Sequence, residues 1–244
     1  MSEVATDAEL PFVDLFEPSL YLMNEPQGPR LTTNGIHLNQ YGYWAICKPF
    51  FDQLVTNERK TRRDRWRLSI DAQTNTGNAQ GVEISRLNKD GSGISFVVTE
   101  RSFPSLRPPA ASPLPPQLEL DRDTLRVVNL RPGNYTLSID GKAVVTKSHE
   151  VWAAGVTIHA SPAHFALEEL REAINEKNLQ FTYGWKALNQ VHIVGERRGS
   201  PSGRVLPQEV VEFHRLAEQR ESELGKSIEL KTRQWRLNLV NKDR

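Results

Sequence analysis

The chain has 244 residues, 25% of them charged, with a net charge of +1. That is enough polypeptide for one large or two small domains with a real core. The near-neutral balance gives no global field that would point to nucleic acid or an anionic membrane as a partner. A single cysteine, Cys47, excludes an internal disulfide framework and any multi-cysteine metal centre. No apolar run reaches bilayer length, and the opening "MSEVATDAEL" lacks the basic and apolar regions of a signal peptide. Composition leaves the compartment unassigned.

Residues 1–58 read as a helix end, a strand, a loop and a helix. "PFVDLF" is a short apolar run, expected to be a buried strand. The proline- and glycine-rich "EPSLYLMNEPQGPRLTTNG" reads as a long loop. From Asn39 onward, Tyr43, Ile46, Phe50 and Leu54 fall on one helical stripe, with Pro49 predicting a kink or a late helix start. The basic run "RKTRRDRWR" at 59–67 is expected to be a solvated linker.

Residues 66–160 change character. "WRLSIDAQ", "GVEISRL", "GISFVVTE", "LRVVNL", "NYTLSIDG" and "KAVVTKSHE" alternate apolar and polar residues between turn formers, which predicts an antiparallel, sandwich-like β unit. A proline-rich loop, "SFPSLRPPAASPLPPQ", interrupts it. Tyr135, Leu137 and Ile139 share one face of a strand that ends in an Asp140-Gly141 hairpin turn. Ser92, in "KDGSGIS", has a turn composition rather than the strand-to-helix setting of a nucleophile. Residues 161–244 are expected to form a helical tail. Phe165, Leu167, Leu170, Ile174 and Asn178 follow helical spacing over 161–183. Val210, Val211, Phe213, Leu216 and Leu224 form the sparse apolar face of a charged helix over 207–231. The fold class is therefore α+β, in three stretches: 1–58, 66–160 and 161–244.

One histidine stands out. In "LTTNGIHLNQYGYWAI", His37 follows a glycine turn and precedes a helix, a place suited to a general base. Asn34, Gly35, Ile36, His37, Leu38 and Gly42 resemble the final Asp-x-x-His block of the SGNH (GDSL-type) hydrolases. "LPFVDLF" resembles the strand before that block. "PGNYTLSIDGKAV" and "LEELREAINEKNLQFTYGWKALNQVHIVGERR" are similar to the C-terminal region of a planctomycete-like subgroup of that family, a region that includes Trp185 and Asn189.

The resemblance implies a residual SGNH-like α/β strand–loop–helix, a serine-type ester hydrolase with His37 as base, and Asn34 in the orienting place of the family carboxylate. An amide oxygen can accept from the imidazole N–H but cannot stabilise imidazolium by charge. In the serine-protease triad the same Asp-to-Asn exchange lowers kcat about 10⁴-fold. Asp14 stands near as a carboxylate, with turn capping its expected role. The family's Gly-Asp-Ser nucleophile block and its Gly and Gly-x-Asn-Asp oxyanion blocks do not occur here.

The resemblance thus implies the C-terminal part of an esterase, inactive alone and missing the N-terminal half of its hydrolase domain. Its substrate would be a small ester or an acetylated carbohydrate. No cofactor, metal, nucleic acid or membrane partner is implied. His159 and His164, five residues apart across Pro162, do not share a helical face and are not expected to bind metal. The alternative is a non-catalytic carbohydrate-binding or interaction module, with Trp66, Tyr135 and Trp152 as stacking aromatics. It requires those rings to lie exposed on the surface.

Overall fold

A computed structural model describes residues 1–26, 28–54, 65–107, 123–188, 199–227 and 229–240. Most of the basic run 59–67, the middle of the proline-rich loop, Asn189 and His192 lie outside the described residues. The chain divides into one unit comprising residues 1–161 and 231–244 and a second comprising 162–230. The class is mixed α+β with two sheets.

Among the described residues the β unit contains nine strands: β1 (Arg67–Asp71), β2 (Thr76–Gln80), β3 (Val82–Lys89), β4 (Gly93–Glu100), β5 (Thr124–Val128), β6 (Asn134–Ile139), β7 (Lys142–Ser148), β8 (Val156–Thr157) and β9 (Thr232–Leu239). One sheet has the order β2-β1-β5-β8 and the other β3-β4-β9-β6-β7. In β1, β4, β5 and β6 alternate residues are buried, as period-2 patterning requires. The inward sets include Leu68 and Ile70, Phe96 and Val98, Leu125 and Val127, and Leu137 and Ile139. Trp66, from the first sheet, lies 6.2 Å from Trp235 of the second, and Phe96 lies 5.8 Å from the same ring, so aromatic packing joins the layers. Asp140 and Gly141 take positive φ angles of 49° and 78°, the two-residue turn a right-twisted hairpin needs between β6 and β7.

Three features of this unit differ from expectation. First, β1 and β5 pair in parallel, not antiparallel. They are not neighbours in sequence, and the chain between them supplies the crossover that parallel pairing demands. Second, the C-terminal stretch is not all helical. Thr232–Leu239 returns as β9 and inserts between β4 and β6. Its alternating Trp235, Leu237 and Leu239 face apolar neighbours that no local helix could offer. Third, "PFVDLF" forms no strand. Residues 11–15 carry no regular structure, and helix α2 (Phe16–Met23) begins inside the motif. No strand among the described residues lies beside it; the side chain of Gln53 does instead. Its Oε1 accepts the Asp14 N–H at 2.7 Å and its Nε2 donates to the Asp14 carbonyl at 2.7 Å.

Around α2 the N-terminal segment holds α1 (Ser2–Asp7) and α3 (Gln40–Leu54). Helix α3 runs through Pro49. A short α4 (His149–Ala154) buries Trp152.

The second unit is a helical hairpin of α5 (Pro162–Leu188) and α6 (Pro201–Ser227). Lys177 meets Glu221, Glu176 meets Arg220, Phe181 stacks on His214 and Tyr183 tilts against Phe213, so the helices run antiparallel. On α6 the described residues shielded from solvent are Gly203, Leu206, Val210, Phe213, Leu216, Ala217, Arg220 and Leu224. Their 3-4 spacing is a coiled-coil seam. Val211, Phe165 and Ile174, expected on the apolar faces, are exposed instead. Among the described residues no helix is long and apolar enough to cross a membrane.

Candidate functional site

The loop that carries His37 is closed by its own backbone. Thr32 and Leu38 form an antiparallel bridge, the Thr33 N–H donates to the His37 carbonyl at 2.9 Å, and the Asn39 N–H donates to the Leu31 carbonyl at 2.9 Å. Gly35, at φ +84°, makes the reversal that an L side chain would strain. Asn39 then caps α3: its Oδ1 accepts the Gly42 N–H at 2.8 Å, and its Nδ2 donates to the Arg30 carbonyl at 2.6 Å. Gly42 is required by contact. A Cβ there would stand 2.0 Å from the Leu31 carbonyl oxygen, a backbone atom that cannot step aside. Leu31 and Tyr41 are buried beneath the loop, and burial pushes the Tyr41 phenol above its ordinary range, keeping it neutral.

His37 is exposed at the end of this frame. Asn34 Oδ1 accepts the backbone N–H groups of Ile36 (3.2 Å) and His37 (2.9 Å), an Asx turn that fixes the amide. The same amide lies against the ring, with Nδ2 at 3.0 Å and Oδ1 at 3.2 Å from His37 Nδ1. Sequence and structure therefore bring His37 and Asn34 together. Among the described residues no serine or threonine hydroxyl bonds the ring. Asp14 is not drawn to it either; its carboxylate accepts the Phe16 N–H at 2.9 Å at the start of α2. Ser92 belongs to the β3–β4 turn, where its N–H and hydroxyl both donate to Asp90.

Sequence reasoning marked His37, Asn34 and Gly42 but missed Asn39 and Gln53. Asn39 had a signal, an Asn one residue before a helical stripe. The bond between Gln53 and Asp14 had none, because nothing local encodes a contact across 39 residues.

The helices before and after the loop, and its own Ile36, display apolar side chains. Phe16, Tyr21, Ile36, Tyr43, Phe50 and Leu54 are all exposed, Ile36 by 80%, Phe16 by 68% and Tyr43 by 62%. On the α3 stripe that periodicity assigned to a core, Tyr43, Phe50 and Leu54 are thus exposed and Ile46 is half-buried. In the β unit the reverse holds: Trp66, Tyr135 and Trp152 are core residues, 1%, 3% and 0% exposed. Their burial removes the stacking platform that a sugar-binding role requires of them. In the helical hairpin Trp185 is exposed. Among the described residues no three His, Cys, Asp or Glu side chains converge on a point that could hold a metal ion.

No family model matches the chain, and no curated protein matches it. A solved structure described as BT4096, a gut microbial diltiazem-metabolizing enzyme, is similar to it with a TM-score of 0.69 at 18% sequence identity. The likeness covers 98% of this chain and 64% of that one, so the chain spans under two thirds of that protein's length. At this identity the likeness establishes a shared fold.

Proposed function

We propose that the chain is the C-terminal part of an SGNH-type ester hydrolase, with His37 as the imidazole of its catalytic centre. The supporting observation is the loop geometry. A loop closed by four backbone and Asn39 bonds, and seated on a glycine that tolerates no Cβ, presents one ring to the exterior, braced only at Nδ1. That is costly scaffolding for an ornamental side chain, and it leaves Nε2 directed away from the brace toward whatever docks there.

The exposed apolar residues around the loop fit the same reading. Contiguous exposed apolar surface is one mark of a place where another protein segment, a membrane or a ligand docks. The occupant is the serine-bearing half of the hydrolase domain, which would also supply the oxyanion donors absent from this sequence. Diltiazem, named for the structural neighbour, contains an ester. The substrate class of this reading is accordingly a small ester or an acetylated carbohydrate.

The test has two parts. The purified 244-residue chain should not hydrolyse p-nitrophenyl acetate; turnover abolished by His37→Ala would refute the incomplete-site reading. The DNA before Met1 should encode, in frame or as an adjacent product, a Gly-Asp-Ser block. Joined to that polypeptide, the chain should gain His37-dependent hydrolysis of acetyl esters. Absence of both block and activity would refute the hydrolase reading.

A further inference from the structure

We infer that the α5–α6 hairpin pairs with the hairpin of a second copy of this chain, α5 against α5 and head to tail, to make a four-helix bundle. The inference does not depend on the hydrolase reading. One side of α5 already meets α6. Another carries Ile174, Asn178, Phe181 and Trp185 in 4-3-4 spacing, a second coiled-coil row. Ile174 is 38% exposed, Phe181 56% and Trp185 57%, and Asn178 is exposed between them. Phe181 is held on display. Its ring stacks on His214 of α6 at 6.2 Å with 17° between the planes. His214 in turn lies over Gly184, where a Cβ would stand 2.6 Å from the imidazole.

Two features select a second copy as the occupant. The first is that 4-3-4 spacing reads the same in both directions. A two-fold axis requires that where residue i meets j, j meets i. Reversed about its midpoint, the row sets Ile174 against Trp185 of the second copy and Asn178 against Phe181 of the second copy. Asn178 then supplies the polar layer that fixes register in such pairs. The second feature is charge. The described residues in 181–188 and 199–208 carry Lys186 and Arg204 and no carboxylate. The other end carries Glu168, Glu169, Glu172 and Glu176 on α5 and three glutamates over 218–223 on α6. Arg171, Lys177 and Arg220 pair with three of these. Glu169 and Glu172 have no cation partner among the described residues, and Lys186 and Arg204 have no carboxylate. Within one copy Lys186 and Glu172 are about 21 Å apart along the helix, well beyond the screening length of about 8 Å. Head-to-tail pairing brings Lys186 level with Glu172 of the second copy, and Arg204 within a turn of Glu169 of the second copy. An anionic membrane or nucleic acid would meet the carboxylates as well as the two cations, and so lacks this complementarity.

Sedimentation equilibrium of the full chain tests the pairing. A reversible dimer is expected, with a dissociation constant that rises as salt is added. Phe181→Glu and Trp185→Glu should each raise that constant about 30-fold or more and leave the β-sheet circular dichroism unchanged. Disulfide trapping tests the register without either glutamate variant. With Cys47→Ser throughout, chains carrying Ile174→Cys mixed with chains carrying Trp185→Cys should cross-link, and neither should cross-link to itself. A chain that stays monomeric at every concentration would overturn the inference. So would a dimer that both glutamate substitutions leave intact, which would put the interface elsewhere. Cross-linking of Ile174→Cys to itself would overturn the head-to-tail register. A monomer that binds phosphatidylserine vesicles, and loses them on Trp185→Glu, would show that the aromatic row meets a membrane instead.

Discussion

Three tryptophans fill the sandwich, and their indole N–H groups fare differently. Trp66 Nε1 donates to the Ser102 carbonyl at 2.9 Å and Trp152 Nε1 to the Tyr135 carbonyl at 3.2 Å. Trp235 Nε1, equally buried, has no partner among the described residues. An unpaired buried donor costs about 1–3 kcal/mol, while a paired one leaves an orphaned acceptor when it is deleted. Replacing either indole by phenylalanine removes comparable packing. Trp66→Phe also removes a donor from the Ser102 carbonyl, whereas Trp235→Phe relieves a penalty. Trp66→Phe should therefore be the more destabilising by about 1–2 kcal/mol in urea titration. Equal losses would show that the Trp235 N–H is satisfied after all. The residue scale also decides Glu100, a carboxylate 4% exposed. It is tolerated because Arg233 Nε donates to it at 2.7 Å and the Lys231 N–H donates at 2.9 Å, both brought by β9.

At the scale of elements, β9 is the piece on which the larger sheet depends. It pairs with β4 on one side and β6 on the other, and its Trp235 and Leu237 are fully buried. Truncation after Leu230 removes a central strand, leaves two inner edges unpaired and strips Glu100 of its counter-ion. The truncated chain should lose the cooperative thermal transition followed by β-sheet circular dichroism; retention of a wild-type melt would show the strand to be an accessory.

The sequence signalled this element only weakly. Six strands were legible from alternation bounded by turn residues, and the Asp140-Gly141 hairpin from its turn chemistry. β9 alternates just as well, as Trp235, Leu237 and Leu239, but follows a long helix and finds its partners more than 90 residues away. β2, Thr76–Gln80, was invisible for the opposite reason: an edge strand of polar residues exposed along most of its length has no apolar period to detect. The strand expected at "PFVDLF" failed because apolar runs record what a segment would bury, not whether a neighbour is present to bury it. The coiled-coil hairpin was legible as two helices. Its seam was legible in part: Val210, Phe213, Leu216 and Leu224 are shielded as their spacing implied, while Lys177 and Arg220 occupy half-shielded positions through ion pairs that apolar periodicity does not register.

For the whole molecule, stability should be unevenly spread. The β unit buries three indoles and closes its sheets through strands far apart in sequence. Among its described residues the segment 1–54 buries only Leu31, Tyr41 and Gly42, and it displays its own apolar stripe. Local opening free energy follows buried apolar contact and backbone protection. Amide hydrogen exchange should therefore run from slowest in β4, β6 and β9 to fastest in α1, α2 and α3. The His37 loop, held by a few backbone bonds, its Asx turn and the Asn39 cap, belongs at the fast end. On the hydrolase reading proposed above, this ordering bears on function, because burial of α3 by a serine-bearing half would convert exposed apolar area into stability for the segment that carries His37. Exchange in Gln40–Leu54 should slow at least tenfold when that polypeptide is joined to the chain, with little change in β4. Such a factor corresponds to about 1.4 kcal/mol, a modest fraction of what burying Phe16, Tyr43 and Phe50 would contribute. If α3 already exchanges as slowly as β4 in the chain alone, its apolar stripe is covered by something within these 244 residues, and the docking surface that the hydrolase reading requires does not exist.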